Sequence, residues 1–243
     1  MAANISPMQR FCWSVRRELW ENRYLYLAPL AVAALIVVGF ALGLVHLPYK
    51  LRAASALDAM QQERIEQPYT FAALLLMFTT FLVSMFYCLD ALYGERRDRS
   101  VLFWKSLPVS DLTTVLAKAS IPFVTIPLLT WVITVVTHSI MLLLAGGSLL
   151  GTGLSVWSHV SFRQMEWILF YHLVVGHGFW YAPFWGWLLL VSAWSRRAPY
   201  LWATLPLLAV GLVEKIAFNT SHFGDWLAYR FMGGPEVMSP HNT

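Results

Sequence analysis

The sequence predicts an all-α integral membrane protein, a bundle of five transmembrane helices preceded by a helix lying along the bilayer interface. Three observations carry that prediction. Hydrophobic residues make up 58% of the chain and charged residues only 12%, where a soluble domain carries about 25% charged. The apolar residues are gathered into long runs separated by short charged patches. Twelve tryptophans and ten tyrosines suit the aromatic belts found where a membrane meets water. A hydrocarbon core about 30 Å thick is crossed by about 20 helical residues. Backbone groups in lipid must bond within their own segment, so the runs are read as helices.

Residues 1–23 form the interfacial segment, helical over 5–22. Met8, Phe11, Cys12, Val15 and Leu19 repeat at the spacing of one apolar face, with Arg10, Ser14, Arg17 and Glu21 opposite. Trp13 and Trp20 sit on the flank, suited to headgroups. The first span is 24–47, and its Gly39-Phe-Ala-Leu-Gly43 spacing permits close helix contact. A polar loop at 48–68 leads to the second span, 69–93, and a charged segment covers 94–118. The third span, 119–145, is expected to bend near Pro122 and Pro127. A Gly/Ser-rich loop at 146–166 precedes the fourth span, 167–194, which is long enough to tilt or to kink at Pro183. Gly178, Ala182 and Gly186 recur along it at a spacing that suits tight packing. A turn at Ser195–Pro199 opens the fifth span, 199–219, and 220–243 is too polar to cross.

Orientation follows from the basic residues. Arg10, Arg16, Arg17, Arg23, Arg96, Arg97, Arg99, Lys105, Lys118, Arg196 and Arg197 fall on one side. Lys50, Arg52, Arg64, Arg163 and Arg230 fall on the other. The richer side is the cytoplasm, which places the N-terminus inside and 220–243 outside. The net charge of +4 is explained by this bias and not by a nucleic-acid partner. Cys12 and Cys88 both fall on the cytoplasmic side, where thiols stay reduced. The first run is too long for a cleaved signal and is read as a retained span.

The stretch from Tyr93 to Lys118 is the most informative. Glu95, Arg96 and Arg97 open it, and Val101, Leu102, Phe103 and Trp104 add an apolar cluster. Leu107-Pro-Val-Ser110 and Lys118 close it. Pro108 ends a short helix, and Ser110 stands where the next helix needs an N-cap. On residues alone, this is a basic loop that fixes topology or a knob for a soluble partner. The stretch resembles the cytoplasmic segment of type-2 ATP-binding-cassette (ABC) transporter permeases, in Glu95-Arg96-Arg97, Leu107-Pro108-Val109-Ser110 and Lys118. The resemblance implies a coupling helix in which Glu95, Arg96, Arg97, Asp98, Arg99, Trp104, Leu107 and Pro108 dock on an ABC ATPase subunit. It implies a permease dimer of like or unlike chains, two ATPase copies, a bacterial inner membrane and transport in the direction of export. The family has six spans with both termini in the cytoplasm. The five runs here lead to the expectation that the chain stops before a sixth.

No Gly-x-x-x-x-Gly-Lys phosphate loop is present. ATP and Mg are therefore expected on the partner, with no cofactor or metal in this chain. Leu144-Ala-Gly-Gly-Ser148 imitates an ATPase signature loop but falls on the outer side and is read as a turn. Two rival classes stay open: a haem- or quinone-binding redox protein using His138 and His172, and a non-transporting membrane anchor for a soluble ATPase. His172 and His177 point about 140° apart around a helix and cannot share one iron. Glu214 and Lys215, near the outer end of the fifth run, are candidates for the substrate path or for a structural cap. Asp90 is expected to pair with Arg96 or Arg97. The substrate is not legible.

Overall fold

The computed structural model describes residues 6–47, 59–100, 110–151, 155–156 and 160–232, and among these every regular element is helical. In chain order they are α1 (Pro7–Glu21), α2 (Tyr24–Gly43), α3 (Ala59–Asp90), α4 (Tyr93–Arg97), α5 (Asp111–Ser120), α6 (Ile126–Ser148), α7 (Phe162–Tyr171), α8 (Ala182–Trp194), α9 (Pro199–Phe218) and α10 (His222–Met232). A π-helical turn, Ile121–Thr125, joins α5 to α6, and a longer π-helical stretch, His172–Trp180, follows α7. The chain falls into two compact units. One is Met1–Tyr87 with Val109–Phe179; the other is Cys88–Pro108 with Trp180–Thr243.

In the first unit α1 begins with a capping box. Ser6 Oγ accepts from the Gln9 amide and the Gln9 side chain accepts from the Ser6 amide, which satisfies two of the donors a helix start leaves open. The helix forms as its sequence predicts. Met8, Cys12, Trp13 and Trp20 are exposed, and Glu18 is buried against a charge partner on α5, described below.

Ser110 caps α5, its hydroxyl accepting from the Thr113 amide at 3.2 Å, as the sequence predicts. α2 packs along α6. Ala33, Leu76 and Ile133 close one small core. A larger one gathers Tyr69, Ala72, Met141, Leu142 and Ala145 with Val156 and Val160. Gly178 comes so close to the π turn before α6 that a methyl group there would lie 3.1 Å from the Phe123 carbonyl oxygen. This fulfils the tight packing expected of Gly178. A methyl group on Gly39, Gly43 or Gly186 would meet nothing within 4 Å among the described residues, so those spacings serve no close contact among them.

In the second unit α4 packs on α8, α8 on α9 and α9 on α10. Tryptophan and tyrosine tie the C-terminal end of α10. Trp180 Nε1 donates to the Arg230 carbonyl at 2.8 Å, and the Tyr181 hydroxyl donates to the Phe231 carbonyl at 3.2 Å. These are two of the four carbonyls a helix end leaves without an internal donor.

Among the described residues four helices are long and apolar enough to cross a membrane: Tyr24–Gly43, Glu66–Arg97, Asp111–Ser148 and Pro199–Phe218. The fourth predicted run, 167–194, does not form one such helix. It is divided into α7, the π-helical stretch and α8, with a turn at Tyr181. Pro183 at the start of α8 has no amide hydrogen to continue a helix, and Gly176 and Gly178 loosen the stretch before it. The loop expected at 146–166 is shorter than predicted, because α6 runs on to Ser148 and α7 starts at Phe162.

Candidate functional site

The predicted docking segment belongs to the second unit, and the structure separates its residues into two kinds. Arg96 is turned to its own unit. Its guanidinium donates to the Ser192 carbonyl and, at 2.9 Å, to the Ser195 carbonyl, closing the C-terminal end of α8. The Ser192 hydroxyl in return accepts from the Leu92 and Tyr93 amides at 3.0 Å each, which starts α4. Arg97, Asp98 and Arg99 are exposed, with Arg97 and Asp98 ion-paired at 3.0 Å. Arg99 takes a left-handed backbone, φ 58°, and ends the helix. Asp90 acts on Arg97 through its charge, as expected from sequence, and its carboxylate also packs against Gly94, where a methyl group would lie 3.0 Å away. Arg96 prefers carbonyls that have no other donor, and Arg97 finds an acid next to it in sequence. Glu95 is half-buried. Trp104, Leu107 and Pro108 lie outside the described residues.

Lys118, the closing residue of the same stretch in sequence, lies in the first unit and is 2% exposed. Its ammonium donates to Glu18 Oε1 at 2.9 Å. Arg17 donates to the same oxygen at 2.8 Å, and the Tyr87 hydroxyl donates to Oε2 at 2.9 Å. The cluster joins α1, α3 and α5. Burial pushes the Glu18 carboxyl up. The Lys118 charge and its hydrogen bond, with those of Arg17 and Tyr87, outweigh that and hold the carboxyl below its ordinary range. Sequence reasoning noticed Lys118 but missed Glu18. Its available signal was a lone acid beside Arg16 and Arg17 on the rim of an otherwise apolar helix face.

His138 is fully buried on α6. Its Nδ1 meets Glu166 Oε1 on α7 at 2.5 Å, and its Nε2 meets the Tyr69 carbonyl of α3 at 3.0 Å. Both ring nitrogens are therefore engaged within the chain. His172 is exposed and its Nδ1 bonds back to the Ile168 carbonyl at 2.8 Å. The structure does not bring His138 and His172 together as a ligand pair. His177 is buried against the Ser84 hydroxyl at 3.2 Å. Glu166, assigned to a loop from sequence, is in α7 and only 6% exposed. The polar residues before it resemble a loop, while its true partner lies 28 positions back.

Glu214 caps a helix. Its Oε1 accepts from the Thr220 hydroxyl and the His222 amide, both at 2.8 Å, and its Oε2 accepts from the Phe223 amide at 2.9 Å. These are opening amides of α10, where a carboxylate also meets the favourable end of the helix dipole. Lys215 points outward and is exposed. Cys12 and Cys88 are free thiols. No family model, no curated protein and no solved structure matches this chain.

Proposed function

We propose that the chain is the membrane-spanning permease subunit of an ABC transporter, driven by a separate ATPase that binds ATP and Mg. The observation that carries this reading is the stretch from Glu95 to Lys118, with its Glu-Arg-Arg cluster, Leu-Pro-Val-Ser turn and closing lysine. The exposed Arg97, Asp98 and Arg99 supply a charged knob for a soluble partner. The membrane setting is supported by side chains that water would disfavour. Leu35 and Leu42 on α2 and Ile216 and Phe218 on α9 are each more than 70% exposed. Exposed apolar side chains along each of these helices call for lipid or a partner chain.

In this reading the four long helices cross the bilayer, and the run 167–194 makes the fifth crossing. The basic bias puts the N-terminus in the cytoplasm of a bacterial inner membrane. The permease acts as a dimer with two ATPase copies and exports its substrate. ATP binding closes the ATPase pair, and the docking segment carries that motion into the spans as a shift between inward- and outward-open populations.

The test is association with the ATPase. Arg97→Glu with Arg99→Glu reverses two exposed charges and should leave folding intact. We expect the association rate to fall about tenfold or more, the scale on which charge steers encounter. Unchanged association would remove the docking assignment. Arg96 is unsuited to this test, because its loss would also open the end of α8.

A further inference from the structure

We propose that His138 and Glu166 form a buried proton-binding site, and that its proton ties α7 to α6 and α3. The Tyr69 carbonyl can only accept, so His138 Nε2 must carry a hydrogen. The other contact, Nδ1 to Glu166 Oε1, then needs a proton of its own. It is either imidazolium with carboxylate or imidazole with carboxylic acid. In both forms one proton lies between the groups and the pair is neutral, as burial requires. Removing it sets an imidazole lone pair against a buried carboxylate, and the tie opens. The site has the character of a place where a proton enters and leaves. Glu166 Oε2 and the Tyr69 hydroxyl are both buried with no hydrogen-bond partner among the described residues, and the Tyr69 ring lies edge-on to the imidazole. Glu166 also lines a cavity with Trp131, Phe162, Arg163, Gln164 and Trp167.

Among the described residues the surrounding ionisable groups are few. α7 brings Arg163, one turn before Glu166; α3 brings Tyr69 and, one turn earlier, Glu66. The part of α2 that packs here, Ile36 to Phe40, brings none, and α6 brings only His138.

The experiment is backbone hydrogen exchange of residues 162–171 in lipid nanodiscs from about pH 5 to about pH 10, corrected for intrinsic exchange. Opening that releases one proton makes protection fall about tenfold per pH unit above its midpoint. Glu166→Gln keeps a hydrogen bond to Nδ1 through its amide and has no proton to lose, so its protection should stay flat with pH. Glu166→Ala should exchange fast throughout. If Glu166→Gln fails to accumulate, His138→Gln should abolish the slope instead. A wild-type profile without the slope overturns the proposal. A slope that persists in either glutamine variant does so as well.

Discussion

Glu18 and Glu166 are both more than nine-tenths buried in the same unit, and they reach that state by opposite means. Glu18 keeps its charge and is held by an ammonium, a guanidinium and a phenol. Glu166 has a single side-chain partner, His138, and one oxygen with no partner among the described residues. The first cluster is rigid because breaking it strands charges. The second depends on one proton. Burial alone therefore does not tell what an acidic residue does; the donors around it decide.

The largest effect should come from breaking the first cluster on one side. Lys118→Ala leaves the Glu18 carboxylate in a dry site with Arg17 and Tyr87 only. We expect a loss of about 3–5 kcal/mol, the cost of breaking a buried pair, measured by denaturation in detergent micelles. A loss below about 1 kcal/mol, the range of exposed pairs, would show that water reaches the cluster.

The same cluster should respond to acid. The Glu18 carboxyl is depressed in the folded chain. Its contribution is therefore complete above the ordinary glutamate range near pH 4.5 and is lost as pH falls through the folded value. Thermal midpoints should drop in that window for the wild type, and the drop should shrink in Glu18→Gln. An equal acid drop in both proteins would assign the effect to other carboxylates.

Arg96→Ala sharpens the contrast within the charged segment. It removes donors from the Ser192 and Ser195 carbonyls, and charged hydrogen bonds are worth about 1.5–3 kcal/mol. Protection of α8 against exchange should fall while α1 and α5 are unaffected. Smaller still is Glu214→Ala, which should quicken exchange at the start of α10 without reaching α8. Glu214→Gln keeps the acceptor oxygens only in part and should fall between. If Glu214→Gln instead altered transport with α10 intact, its place on the substrate path would return.

Much of the helical architecture was legible because long apolar runs admit few other structures in lipid. Ser110 and the proline before it marked the start of α5 through local chemistry that a sequence displays. The contacts that build the sites were not legible. Glu18 meets Lys118 across 100 positions and His138 meets Glu166 across 28, and neither spacing has a local signature. The apolar stripe of α1 is visible in sequence, while the lysine that draws Glu18 inward is not. The division of 167–194 was legible only in part: Pro183 marks the start of α8, while the close approach of Gly178 to the Phe123 carbonyl is a tertiary contact without a local signature.

Whether this chain forms a membrane path worked by a partner ATPase is tested by Mg-dependent ATP hydrolysis of the complex purified from native membranes and reconstituted in lipid vesicles. Hydrolysis should co-purify with the wild-type chain and be lost with Arg97→Glu/Arg99→Glu, while both proteins insert equally. A chain that inserts in the membrane but carries no ATP hydrolysis, or hydrolysis that the double variant leaves unchanged, would contradict the permease reading.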